Sequence, residues 1–156
     1  MALVLSVILL ARGSVPELGL AMAALVPGAV HGLVHQVVVA DPGGGEEMAA
    51  LCEDAGAILV VGGLAEAVAA ARREVVLALP AALRWPEDGL RRLGDALSRG
   101  VRAGLVRGQG EIGVLAALQA RPYGVLAPRA EFEALSSGAD LGALRRRLGR
   151  RAARLV

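Results

Sequence analysis

The chain contains no lysine. All 17 of its basic residues are arginine, set against 15 acidic residues. Mechanisms that need a lysine nucleophile, Schiff base or phosphate-loop lysine are therefore excluded. Aromatic residues are nearly absent, at 2% of the chain. There is no platform on which the bases of a nucleic acid could stack, and a net charge of +2 supplies no strongly basic surface for one. A nucleic-acid partner is not expected. The single cysteine, Cys52, cannot form an internal disulfide. It lies in a helical apolar pattern and is expected to be a buried, inert thiol. No apolar stretch reaches the roughly 20 residues of a membrane-spanning helix. The apolar start, Met1 to Ala11, has no basic segment before it and reads as a buried strand rather than a signal peptide. These features predict a cytoplasmic protein with room for peripheral contact at the inner membrane.

Aliphatic residues are abundant, and apolar residues make up 55% of 156 positions. That length fits one domain with a proper core, so residues 1–156 are expected to form a single domain. Leu3–Leu10, His35–Ala40, Ala57–Val61 and Glu74–Leu79 read as buried strands, and Val101–Val106 as a fifth. Helices are predicted over Pro16–Leu25, Glu46–Ala55, Leu64–Arg73 and Pro86–Ser98. Pro27-Gly28 is expected to break the first of them. The alternation predicts an α/β fold with a mainly parallel sheet and helices on both faces. Further along, Ile112–Gln119 and Arg129–Leu135 read as helical. Arg121-Pro122-Tyr123-Gly124 reads as a turn and Val125–Ala127 as a short strand. A last helix is predicted from Asp140 to about Leu155.

The sharpest local feature is Val37-Val38-Val39-Ala40-Asp41-Pro42-Gly43-Gly44-Gly45. A β-branched run ends in a carboxylate, a glycine loop follows, and a helix begins at Glu46. Ligands of open α/β sheets bind at the carboxyl ends of the strands. The loop is not a Walker loop, which needs Gly-Lys-Ser/Thr, nor a dinucleotide fingerprint, because Met48 stands where a third glycine would fall. His31 and His35 have the spacing of two metal ligands, yet Pro27, Gly28 and Gly32 interrupt the helix that this spacing needs. The last helix carries Leu141, Leu144, Leu148 and Leu155 near one face and arginines over the rest. This pattern suits either a docked terminal helix or a surface for anionic lipid, through Arg145, Arg146, Arg150 and Arg151.

Taken together, these segments resemble the family 2 glycosyltransferases, whose nucleotide-sugar domain has the GT-A fold. Ser6-Val7-Ile8-Leu9-Leu10-Ala11 is similar to the family's opening strand. Val37 to Gly45 is similar to its V-I-V-V-D-G-G-S-T-D motif, and Cys52 to Ala57 to its A-x-x-x-G-A element. Arg121 to Gly124, Arg129 to Leu135, and Asp140-Leu141 with Leu144 to Arg150 are similar to its C-terminal segments. The resemblance implies a three-layer GT-A, Rossmann-like domain that transfers a sugar from a nucleotide donor. It places Asp41 and Gly43 on the nucleoside and Asp140 at the catalytic base.

One departure stands out. The family's fourth strand ends in a D-x-D-type motif that holds a divalent metal, and here Pro80-Ala81-Ala82 occupies the place. A methyl group cannot coordinate a cation that requires oxygen ligands. No metal cofactor and no metal-binding residue are expected, and Arg84 is left to contact a phosphate directly. The resulting expectation is a glycosyltransferase-like protein, with a nucleotide or nucleotide-sugar as partner and reduced or lost metal-dependent catalysis. The alternative is a non-catalytic module of the same fold that binds a partner, a membrane surface or a second copy of itself.

Overall fold

In a computed structural model the described residues are 4–108 and 122–155. The expected strands form as β1 (Leu5–Leu10), β2 (Val34–Ala40), β3 (Ile58–Val60) and β4 (Val75–Pro80). β1 lies between β2 and β4, and β3 pairs with β2, all in parallel. Two further strands, β5 (Gly104–Arg107) and β6 (Tyr123–Pro128), extend the sheet, and β7 (Ala153–Arg154) closes its far edge. The order is β3-β2-β1-β4-β6-β5-β7. β6 runs antiparallel to both β4 and β5. Tyr123 and Gly124, expected in a turn, begin this strand.

The apolar strands are buried because helices cover both faces. Leu5, Val7 and Leu9 face one layer, formed by α1 (Val15–Val30), α2 (Glu46–Ala55) and α4 (Gly89–Ser98). Ile8, Val38 and Ala78 face the other, formed by α3 (Leu64–Ala70), α5 (Arg129–Glu133) and α6 (Leu141–Leu148). Val38 and Leu77 are fully buried. Cys52 is buried as expected, and burial first and the charge of Asp41 second push its thiol pKa up.

Several helices differ from expectation: α4 begins at Gly89 rather than Pro86, and α5 ends at Glu133 rather than Leu135. α1 continues through Pro27 to Val30. The proline stands in the last turn, where it removes one donor, and the buried stripe Leu18, Ala21, Leu25 and Gly28 keeps the helix seated on the sheet. Gly28 permits this close approach, since a Cβ there would fall 3.0 Å from Val34 Cγ2. α3 ends at Ala70, short of Arg73. The backbone N–H groups of Arg72 and Arg73 donate instead to Gln36 Oε1 and to the fully buried Ser6 Oγ. α6 stops at Leu148, because Gly149 turns the chain with φ 52°. A 3-10 turn follows, and β7 then pairs with β5 and returns Leu155 to the core on the α1 side. The predicted helix Ile112–Gln119 lies outside the described residues.

Candidate nucleotide-sugar site

The parallel strands end level with one another. Leu10 is opposite both Ala40 and Pro80, and Ala40 is opposite Val60. Ala11, Asp41 and Ala81 therefore stand side by side at the carboxyl edge, each tied to the neighbouring strand through its backbone N–H. Asp41 follows β2 directly and is 2% exposed. Its Oδ1 accepts a hydrogen bond from the Gly43 N–H at 3.3 Å, an Asx turn that starts the glycine loop. Its Oδ2 has no hydrogen-bond partner among the described residues. Leaving a buried carboxylate oxygen unsatisfied is costly. Gly44 and Gly45 carry the loop onward at φ 63° and 120°, values that side chains resist, and so bring the chain onto the start of α2.

β6 brings a second group to the same edge. Its antiparallel register puts Tyr123 beside the end of β4 and directly opposite Arg107 of β5. Gly124 makes this possible, since a Cβ there would fall 2.9 Å from Leu79 Cβ. Arg145 lies over the Tyr123 ring at 5.1 Å. Asp140 is the N-cap of α6, and its Oδ1 accepts from the Ala143 N–H at 2.9 Å. Gly142 sits among Asp140, Arg146 and the Tyr123 hydroxyl. Arg84, beyond β4, is exposed and reaches back to the Ala81 carbonyl at 3.4 Å.

Asp41, Gly43 and Arg84 thus lie along one edge, and Asp140, capping a helix packed on β6, stands near Tyr123 at the same edge. From β2 to β6 is three strand spacings, about 14 Å. Tyr123 and Arg107 join this edge without having been singled out as site residues, and Arg145, expected on a lipid-facing surface, lies over Tyr123 instead. Only the pairing of β6 reveals their place: Val125–Ala127 reads as a strand, but nothing local sets it between β4 and β5. His31 ends α1, with Nδ1 2.7 Å from the Pro27 carbonyl oxygen, and His35 is exposed on β2.

The arginines expected on one long helix are divided. Arg147 and Arg151 bind Glu131 at 2.7 and 3.1 Å and hold its carboxyl below the usual range, Arg147 contributing most. Arg150 and Arg151 lie past the end of α6, so Arg145, Arg146, Arg150 and Arg151 do not form a continuous helical face.

This sheet order, with its level carboxyl edge and buried carboxylate, defines the GT-A type of fold found in nucleotide-sugar glycosyltransferases. Among solved structures the chain is similar to glucosyl-3-phosphoglycerate synthase from Mycobacterium tuberculosis in complex with phosphoglyceric acid. The TM-score is 0.64 at 23% identity, over 97% of this chain and 68% of that one. It is also similar to mannosyl-3-phosphoglycerate synthase from Rubrobacter xylanophilus, with TM-score 0.57 and 20% identity over 83% of this chain and 55% of that one. No family model and no curated protein matches.

These structures correct the expectation that no metal cofactor is involved. The mycobacterial synthase is also known in complex with Mn2+, UDP and glucosyl-3-phosphoglycerate, at TM-score 0.66. A further complex holds Mn2+ with UDP-glucose and phosphoglyceric acid. The expectation rested on the end of β4 alone. A divalent ion at such a site takes ligands from substrate phosphates and water as well as from protein, so missing carboxylates on one strand do not exclude it. The residues at the end of β4 do not by themselves fit such an ion: Pro80, Ala81 and Ala82 offer no side-chain oxygen. Among the described residues no group of three His, Cys, Asp or Glu side chains is placed to hold one.

Proposed function

We propose that this protein binds a nucleotide-diphosphate sugar along the carboxyl edge and transfers the sugar to an acceptor. The observation that carries this reading is the buried carboxylate of Asp41. It stands beside a glycine loop, at the edge where open α/β sheets bind ligands, with one oxygen unsatisfied. A ribose hydroxyl or a base N–H would satisfy that oxygen. Because the oxygen is buried, the loop around Gly43 must shift to admit the nucleoside. Arg84, exposed beyond β4, supplies positive charge toward the diphosphate.

Asp140 takes the role of base in this reading. With Oδ1 held by Ala143, its Oδ2 accepts the proton of the acceptor hydroxyl. The acceptor oxygen bonds to the anomeric carbon, and the bond to the diphosphate breaks with its electron pair leaving on the nucleotide. The separation of Asp41 from Asp140 suits an extended donor lying across β1 and β4. The bare end of β4 favours a second reading, in which the donor binds without turnover.

Calorimetry with UDP, GDP and their glucose and mannose conjugates, with and without Mn2+, tests donor binding. Saturable binding that weakens at least tenfold in Asp41→Asn is expected. Release of free nucleotide from the bound donor, lost in Asp140→Asn, separates transfer or hydrolysis from binding alone. No binding by any of these ligands would overturn both readings.

A further inference from the structure

A cavity of about 720 Å³ lies in the seam between α1 and α4, and none of Asp41, Gly43, Arg84 or Asp140 lines it. It exists because small residues meet there, Ala24 and Gly28 from α1 and Gly94 from α4. Leu33, Leu90 and Trp85 complete an aliphatic and indole wall. Its volume is that of a small-molecule site, and most of its lining is apolar.

Gly94 argues that the space is kept open. It lies inside α4 with no positive φ, so its backbone does not need glycine. A Cβ there would meet nothing nearer than Leu33 Cδ2 at 3.9 Å. Alanine would fit, would favour the helix and would begin to fill the hollow. Gly28, by contrast, is required by its contact with Val34.

The rim decides the charge of the occupant. Arg91 is already bridged by Asp88 and Asp95, at 3.3 and 3.1 Å. Glu87 adds a negative charge, and among the described residues no further arginine lines the cavity. Among the described residues an anionic head would therefore meet only a guanidinium already shared between two carboxylates. His31 keeps Nε2 available, because Nδ1 already faces the Pro27 carbonyl. Glu87 can accept a hydrogen bond. We propose that this cavity binds an uncharged aliphatic molecule ending in a hydroxyl, its chain lying between α1 and α4 and its hydroxyl at Glu87 and His31.

Trp85 is the chain's single tryptophan and forms part of the cavity wall, so its fluorescence reports occupancy. The probes are 1-decanol and decanoate, titrated into the full chain. The expected result is a saturable change in Trp85 emission with 1-decanol and at least tenfold weaker binding of decanoate. Gly94→Leu should abolish the response while far-UV circular dichroism is unchanged. Ala24→Leu fills the same space from α1 and serves if Gly94→Leu does not fold. Absence of saturation, equal binding of decanoate, or undiminished binding in a folded filled variant would overturn the proposal. So would an emission change that follows protein concentration rather than decanol, since a second copy would then occupy the seam.

Discussion

Asp41 pits stability against binding. Its carboxylate is buried with one weak hydrogen bond, a state that folding disfavours. Asp41→Asn keeps an oxygen for the Gly43 N–H and removes the buried charge. The variant is expected to gain about 1 kcal/mol in urea unfolding while losing donor affinity. A loss of stability would show instead that the charge is satisfied in the free protein. The position of Asp41 was legible in the sequence, because a β-branched run ending in a carboxylate before glycines marks the end of a strand. Its orphaned oxygen was not, since that depends on what packs around it. Trp85 was illegible for the same reason: nothing adjacent in the chain announces the cavity it lines.

Among the elements, β1, β2 and β4 were legible because strands buried on both faces are written as unbroken aliphatic runs. The stop of α6 was not, because leucines and arginines continue past Gly149 with helical spacing. Only the pairing of β7 with β5 shows where that pattern stops meaning helix. Gly149 holds φ 52° and ψ −127° there. Gly149→Ala is expected to destabilise by about 1–3 kcal/mol, read as a lower urea midpoint; an unchanged midpoint would show that the turn relaxes. Glu131 joins α5 to the end of α6 through Arg147 and Arg151. Its carboxyl is held below the usual value. The stability it contributes is therefore complete above the ordinary glutamate range and is lost as pH falls through the lowered value. Glu131→Gln should be less stable than the parent at pH 7 and equal to it in strong acid. A stability difference independent of pH would place the effect in packing rather than charge.

For the whole molecule, alternating strands and helices predict the α/β class. The resemblance in Val37 to Gly45 and in the C-terminal segments predicts the GT-A type, and the structure shows both. The sequence did not convey that β6 enters the sheet antiparallel beside β4. That insertion brings Tyr123 and Asp140 to the same edge as Asp41, although they lie far apart in the chain. The bare end of β4 was visible from the start, but the metal-bound structures of the same fold show that it cannot be read alone. The central claim is that this edge holds a nucleotide-sugar donor through Asp41. Its most direct measurement is calorimetric titration of the chain and of Asp41→Asn with UDP-glucose and GDP-mannose in the presence of Mn2+. Saturable binding of at least one donor, weakened tenfold or more by the substitution, is the predicted result; binding unaffected by the substitution, or no binding of either donor, would contradict it.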